Sequence, residues 1–329
     1  MEATRAKRSV GTNPYVFIVG CARSGTTLLQ RMLDAHPDIA VIHETHWIPK
    51  WYERRKGVTP EGLTTPELVR RLAEYHRFAD WRIGRGELER LVASGEPVSY
   101  PSFVAGFFDL YGKMRDKRLV GDKTPRYVRN LPTLHKLWPG AKFVHLIRDG
   151  RNVALSATNW RKSYKLARRF PTWREDPTTT AAFWWEWLVR LGRQDGNPLG
   201  PDLYHEVRYE VLISEPERTC ADLCSFLGFP YDEAMLHFHE GREKAGSDLD
   251  AKGAWLPVTR GLRDWRSQMP AKRVERFEAA AGDLLDELGY PRAFPRPSRG
   301  ALERAQEIRE SFRRDVRDRG DRSPEVWSM

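Results

Sequence analysis

The residues best suited to chemistry form a short loop near the N-terminus, rich in glycine and hydroxyl side chains. The loop runs Gly20-Cys-Ala-Arg-Ser-Gly25-Thr26-Thr27 and separates an apolar run from a helix-like one. Glycines let successive backbone N–H groups point inward, while the start of the helix adds partial positive charge and the threonines add donors. This arrangement predicts a phosphate-binding loop (P-loop).

The loop departs from the nucleotide-binding pattern G-x-x-x-x-G-K-[ST] at one position, because Thr26 stands where the lysine belongs. An NTPase uses that lysine on the β- and γ-phosphates, and it needs an aspartate for magnesium, for which Asp149 is the available candidate. Arg23 supplies a cation elsewhere in the loop. A P-loop nucleotide kinase or NTPase is therefore the first alternative, and magnesium-dependent nucleotide binding would favour it.

Strands and helices must position this loop, and they alternate along the chain. Apolar runs rich in β-formers predict strands at Tyr15–Val19, Ile39–Ile42, Lys142–Ile147 and Tyr204–Tyr209. The alternation predicts an α/β fold of three layers (α/β/α), with a P-loop and a central parallel sheet covered on both faces. Residues 12–292 are assigned to this domain, and residues 293–329 to a linker and an exposed, basic helical extension.

The composition is that of a globular chain with surplus positive charge. Among 329 residues, 55 Lys and Arg against 45 Asp and Glu give a formal net charge of +10. Such an excess favours anionic partners, so a non-catalytic module that binds polyanions through its Arg-rich tail is the second alternative. A nucleic-acid partner is not expected.

The cysteines and the N-terminus bear on the compartment. Cys21, Cys220 and Cys224 are an odd number in a chain of this size, which predicts no disulfide framework. The N-terminal residues lack the apolar core of a signal peptide, and no stretch is long enough to cross a bilayer. We expect a cytoplasmic protein without a membrane span, and a homodimer is compatible with the sequence.

Three stretches carry a family resemblance. GCARSGTTLL at Gly20–Leu29 resembles the 5'-phosphosulfate loop of the sulfotransferases, and with the following LQRMLDAHPDI and HETHWIP it is similar to the tyrosylprotein sulfotransferases and their bacterial relatives. KFVHLIRDGRNVALS at Lys142–Ser156 resembles the family's 3'-phosphate motif. GDKTP at Gly121–Pro125 resembles its lysine-bearing x-K-x-P segment. The three stretches follow one another in the family's order.

The resemblance implies 3'-phosphoadenosine-5'-phosphosulfate (PAPS) as co-substrate, and no metal. The two anionic ends of PAPS need two anion-binding groups. The phosphate loop is expected to hold the 5' end through Arg23, Ser24, Gly25, Thr26 and Thr27. Arg148 offers a bidentate guanidinium to the 3'-phosphate, and Ser156 adds a hydroxyl. Further nucleotide contacts are expected from Tyr209, Arg260 and Gly261.

The resemblance also assigns the catalytic groups. Sulfuryl transfer needs a base near the acceptor hydroxyl and positive charge around the sulfonyl oxygens and the leaving phosphate. The family's catalytic carboxylate corresponds to Glu44 and its lysine to Lys123, while Arg23 adds charge. His43 and His46 flank Glu44, and either is an alternative base. His46 replaces an arginine of the tyrosylprotein enzymes, so the acceptor hydroxyl stays open among carbohydrates, natural products, lipids and peptides.

Overall fold

A single parallel sheet organises the computed structural model, which describes residues 15–93, 95–240, 256–259 and 263–327. Within these residues five strands pair in the order β2-β3-β1-β4-β5, and every pairing is parallel. The strands are β1 (Val16–Gly20), β2 (Ile39–His43), β3 (Leu119–Lys123), β4 (Lys142–Ile147) and β5 (Tyr204–Arg208). The predicted α/β class with a central parallel sheet is confirmed.

Side chains of each strand alternate between two apolar clusters, one on each face of the sheet. In β1, Phe17 and Val19 belong to the larger cluster, whereas Val16 and Ile18 belong to the smaller one. Both sets are fully buried, as expected for a parallel sheet covered on both sides. Strand β3 was not predicted from the sequence, because Gly121 and Asp122 interrupt its apolar run.

Helices cover both faces of the sheet. Among the described residues they are α1 (Thr26–Ala35), α2 (Ile48–Glu53), α3 (Pro66–Ala73), α4 (Arg85–Arg90), α5 (Tyr100–Lys113), α6 (Leu131–Leu137), α7 (Gly150–Thr158), α8 (Tyr164–Arg169), α9 (Thr172–Glu175), α10 (Pro177–Gly196), α11 (Tyr209–Ser214), α12 (Pro216–Leu227), α13 (Trp265–Gln268), α14 (Ala271–Glu287) and α15 (Arg299–Asp318). In the part of the chain that the structure describes, no helix combines the length and apolarity needed to cross a bilayer.

The C-terminal extension differs from the exposed helix expected from the sequence. Helix α15 buries Ala305, Ile308, Phe312 and Val316, which form one face of the helix. The Phe312 ring stacks on Phe170 with 4.4 Å between centroids. The prediction of an exposed helix is therefore wrong for this face, because its apolar residues, three to four apart, pack into the larger cluster.

Candidate active site

All five strands end at one edge of the sheet, where the phosphate loop begins after β1 and a predicted site residue lies at the end of each other strand. Gly20 ends β1, Glu44 follows β2, Lys123 ends β3, Arg148 follows β4 and Tyr209 follows β5. The carboxyl ends of parallel strands are where open α/β sheets bind ligands. The fold therefore brings together residues that lie far apart in the chain.

A cavity of about 710 Å³ opens at this edge. Glu44 is the single carboxylate among the described residues that line it. Its lining cations are Arg23, Lys50, Arg77, Arg126, Arg148, Lys162, Lys165 and Arg263. A concave surface with this charge concentrates anions.

The phosphate loop joins β1 to α1 as predicted. Gly25 caps the helix in the left-handed region, with a φ of 99° and a ψ of 13°. A Cβ at Gly25 would lie 2.4 Å from two ring carbons of Tyr209, so glycine is required for both conformation and space. Ser24 is 1% exposed, and its Oγ has no hydrogen-bond partner within the described chain. A buried orphan donor beside a helix N-terminus suits an anionic ligand.

The two predicted anion-binding groups touch one another. Arg23 Nε donates to Ser156 Oγ at 3.2 Å, and Arg148 Nη1 lies 3.4 Å from the carbonyl oxygen of Arg23. The guanidinium of Arg148 packs over the Tyr209 ring at 4.0 Å. Its buried Nε has no partner among the residues described. Arg148, Ser156 and the loop therefore form one continuous basic surface.

Glu44 and Lys123 form a close ion pair beside this surface. Lys123 Nζ lies 2.8 Å from Glu44 Oε1 and 3.4 Å from Thr27 Oγ1. The Lys123 side chain has no exposed surface, whereas that of Glu44 is 24% exposed. The backbone of Glu44 has a φ of 40°, and its N–H donates to the Lys123 carbonyl at 3.0 Å. The fold thus holds the carboxylate at the cavity wall in a conformation that costs backbone energy.

The surroundings keep Glu44 ionised. Burial, the largest influence, raises the pKa of its carboxyl, but the Lys123 ammonium and the hydrogen bond from His46 outweigh it, so the pKa lies well below its usual value. Burial lowers the pKa of Lys123, and Glu44 opposes that change. At neutral pH Glu44 is therefore a carboxylate, the form that can accept a proton.

The two flanking histidines have different environments. Burial, followed by the Lys123 charge, lowers the pKa of His43 to about 3, and its Nδ1 lies 3.2 Å from Gln30 Oε1. His46 Nε2 lies 2.9 Å from Glu44 Oε2. Burial lowers the pKa of His46, although Glu44 opposes this effect. His46 is thus neutral at pH 7 and donates to Glu44.

Several lining residues were missed by sequence reasoning. Arg77 Nη2 lies 3.9 Å from Glu44 Oε2, and the Trp160 ring lies 5.5 Å from the Arg23 guanidinium. Lys162 and Lys165 line the cavity from the segment around α8. The contacts of Arg77 and Trp160 join segments far apart in sequence, so no local pattern marks these two residues. Lys162 and Lys165 could have been predicted, because they belong to a basic run that follows Ser156.

The remaining predicted residues are the candidate magnesium ligand and two of the nucleotide contacts. Asp149, the candidate magnesium ligand of the kinase alternative, is 3% exposed and its carboxylate is bonded to Arg151 and Trp265. It is not among the described residues that line the cavity. Arg260 and Gly261 lie outside the described residues. Among the residues that the structure describes, no group of three or more His, Cys, Asp or Glu side chains is placed to hold a metal.

Comparisons with known proteins agree with this site. The protein-tyrosine sulfotransferase 1 of Danio rerio is 29% identical over 320 residues, which cover 91% of this chain and 79% of that protein. The sulfotransferase domain of the curacin biosynthetic pathway shares the fold, with a TM-score of 0.57 and 20% identity over 85% of this chain and 99% of that one. The sulfotransferase domain of the Synechococcus PCC 7002 olefin synthase is similar with a TM-score of 0.51 and 25% identity, and the match covers 79% of this chain and 89% of that one.

The model of the family described as "Sulfotransferase family" matches residues 14–233. This span is more than half of the chain, and it contains the phosphate loop, Glu44, Lys123, Arg148 and Tyr209. The kinase and polyanion-binding alternatives are not favoured by any of these matches. The resemblance expected from the motifs is therefore confirmed, and this chain belongs to the sulfotransferase family of enzymes.

Proposed function

We propose that the chain transfers the sulfuryl group of PAPS to a hydroxyl acceptor, with Glu44 as general base. One observation carries the proposal: a strongly basic cavity contains both Arg148, whose buried Nε–H has no partner within the described chain, and Glu44, the one carboxylate among the described lining residues. Anion binding at one end and proton acceptance at the other are the two requirements of this reaction. PAPS, when bound, supplies the sulfuryl group and a phosphate leaving group.

The residues of the basic surface fit both ends of PAPS. The loop N–H groups, Ser24 Oγ and the threonine hydroxyls suit the 5'-phosphosulfate, because they lie at the N-terminus of α1. Arg148 and Ser156 suit the 3'-phosphate, since Arg148 keeps an unpartnered, buried Nε–H within the described chain. Arg23 lies between the two groups and adds positive charge to both.

At the other end, Glu44 and Lys123 divide the chemical work. Glu44 Oε1 and Oε2 are held by Lys123 and His46, so the carboxylate has a fixed position at the cavity wall. It accepts the proton of the acceptor hydroxyl as the nucleophile forms. Lys123, also within reach of Thr27, places positive charge between the base and the loop. Most of the rate enhancement is expected from such positioning and charge, as in phosphoryl transfer.

Calorimetry with 3'-phosphoadenosine 5'-phosphate and adenosine 5'-phosphate tests the donor assignment. We expect the first nucleotide to bind much more tightly, with or without magnesium. Arg148→Ala should remove about 2–3 kcal/mol of this preference, the value of a charge-assisted bidentate contact. Arg218→Ala is the matched control, because its side chain is 74% exposed and lies away from the cavity lining. Equal affinity of the wild-type chain for the two nucleotides would overturn the proposal.

The acceptor side of the cavity favours an aromatic hydroxyl compound that carries negative charge. Trp47, Trp51 and Tyr75 form an aromatic wall, and Arg77 and Arg126 lie beside it. Flat rings pack well on such a wall, and the arginines suit carboxylate neighbours. Because a similar protein is named a protein-tyrosine sulfotransferase, we propose a tyrosine side chain in an acidic peptide as the acceptor to test first.

A pair of peptides tests this choice. One carries tyrosine between aspartates and the other carries it between lysines; sulfuryl transfer is measured by mass. We expect modification of the acidic peptide, and Arg126→Ala should reduce it. Transfer to sugars or lipids alone would replace the peptide assignment. Cytoplasmic location and homodimer formation stay predictions from the sequence, for cell fractionation and sedimentation to test.

A further inference from the structure

A buried ionic cluster lies directly beside Arg148. Asp149 caps α7 by accepting from Arg151 N at 2.9 Å, and its two oxygens also accept from Arg151 Nε at 3.0 Å and Nη2 at 2.8 Å. The indole Nε1 of Trp265 donates to Asp149 Oδ2 at 3.0 Å. The Asp149 carboxylate is therefore fully engaged in holding α7 and α13 together.

Arg151 extends the cluster to a third helix. Its side chain has no exposed surface, and Nη1 donates to Glu278 of α14 at 2.6 Å and to the Pro291 carbonyl at 2.9 Å. The Trp265 ring covers the guanidinium at 3.8 Å. A buried arginine with all these partners is rigid, because each bond lost would leave an unsatisfied charge.

Trp265 is fixed to α7 through its main chain as well. Its N–H donates to Asn152 Oδ1 at 2.9 Å. Two residues before Trp265, Arg263 belongs to the cavity lining. The chain beside this lining residue is thus attached to the first turn of α7, next to Arg148.

The backbone on the other side of Arg148 is also held. Trp185 Nε1 donates to the Arg148 carbonyl at 3.1 Å, and the Asp149 N–H donates to Glu210 Oε1 at 2.9 Å. Trp265 is the member of this set that links the Arg148 strand end to the segment containing Arg263. Its loss would leave Arg148 on a strand end with one support fewer.

From these contacts we infer that Trp265 is a positioning residue for the 3'-phosphate end of the donor. Through its bonds to Asp149 and Asn152, Trp265 fixes the position of Arg148 relative to Arg263, the cavity-lining residue that comes shortly before Trp265 in the chain. The inference rests on the proposed function, because it assumes that Arg148 binds the 3'-phosphate. A positioning role predicts loss of discrimination between nucleotides, whereas a purely structural role predicts loss of folded protein alone.

Nucleotide discrimination in Trp265→Phe tests the inference. Phenylalanine retains a ring over Arg151 but removes the N–H bond to Asp149. We expect affinity for 3'-phosphoadenosine 5'-phosphate to fall roughly tenfold, while affinity for adenosine 5'-phosphate changes little. Asn152→Ala is a second variant that removes the main-chain attachment and should act in the same direction if the first fails to fold.

Trp187→Phe is the matched control. Trp187 is also buried and donates one indole bond, to the Arg322 carbonyl at 2.8 Å, but it lies outside the cavity lining. It should lower the melting temperature and leave discrimination unchanged. Unchanged discrimination in folded Trp265→Phe and Asn152→Ala, or an equal loss in Trp187→Phe, would overturn the inference. A wild-type chain that does not discriminate would instead overturn the proposed function.

Discussion

One buried ammonium connects two parts of the site: Nζ of Lys123 lies 2.8 Å from Oε1 of Glu44 and 3.4 Å from Oγ1 of Thr27. The pair therefore ties the carboxylate after β2 to the helix of the phosphate loop. A change in Lys123 or Glu44 should affect turnover more than nucleotide binding, because neither residue lies on the Arg148 side of the cavity.

Glu44→Gln should lower turnover by about a hundredfold or more, since the amide keeps the shape but cannot accept the proton. Donor affinity should change little. Glu53→Gln is the matched control, because Glu53 bonds Asn130 and Thr133 outside the cavity lining. Near-normal turnover of Glu44→Gln, with loss in His43→Ala or His46→Ala, would assign the base to a histidine.

Lys123→Met should slow turnover and move the acidic limb of the pH–rate profile to higher pH. The Lys123 charge lowers the pKa of Glu44, so its removal raises that pKa and protonates the base at a higher pH. Lys142→Met is the control, because the Nζ of Lys142 donates to the Phe226 carbonyl and has no contact with Glu44. This variant should leave the pH–rate profile unchanged. If Lys123→Met is slower but its acidic limb stays at the same pH, Lys123 does not control the ionisation of Glu44.

Gly25→Ala should abolish nucleotide binding. The methyl group would lie 2.4 Å from the Tyr209 ring, and the φ of 99° is unfavourable for alanine. Gly140→Ala is the control, because a Cβ there meets no atom within 4 Å. Calorimetry with 3'-phosphoadenosine 5'-phosphate checks both variants; full binding by Gly25→Ala would show that the loop rearranges freely.

His145 should make the fold sensitive to acid. Burial, followed by the Arg193 charge, lowers its pKa to about 3 from 6.5, so below pH 6.5 the unfolded chain takes up a proton that the folded chain refuses. The free energy of unfolding is therefore highest above pH 6.5 and decreases as the pH falls toward 3. At pH 5 the decrease due to His145 is about 2 kcal/mol. In urea unfolding at pH 7 and pH 5, His145→Gln should lose less stability than wild type, and exposed His76→Gln should match wild type.

Phe312→Ala should destabilise the whole domain by about 3–5 kcal/mol, the usual cost of truncating a buried aromatic residue. Phe312 has no exposed surface, whereas Leu302 on the same helix is 48% exposed. Leu302→Ala is therefore the control, with a small effect expected in chemical denaturation. A Phe312 variant as stable as wild type would mean that the extension is separate from the core.

Local patterns predicted much of this site. Glycine spacing marked the phosphate loop, and apolar runs located four of the five strands. The apolar face of α15 was also readable, because Ala305, Ile308, Phe312 and Val316 recur three to four residues apart. The basic composition of that segment masked the pattern.

Contacts between distant segments were not predictable in the same way. Arg77 approaches Glu44 from the turn after α3, and Trp265 meets Asp149 across more than a hundred residues of chain. Such pairs depend on how the helices pack against the sheet, which no short window of sequence encodes. The burial of Arg151 is the clearest case, because an arginine in a polar turn predicts exposure.

The strand order has a consequence for synthesis on the ribosome. Of the described strands, β1 is made first, yet it lies in the middle of the sheet and pairs with β3 and β4 through Val16↔Gly121 and Val16↔Lys142. Until those segments emerge, both of its edges lack partners. Because non-local parallel pairing forms slowly and exposed strand edges invite aggregation, the nascent chain should be most prone to aggregation before β4 is complete.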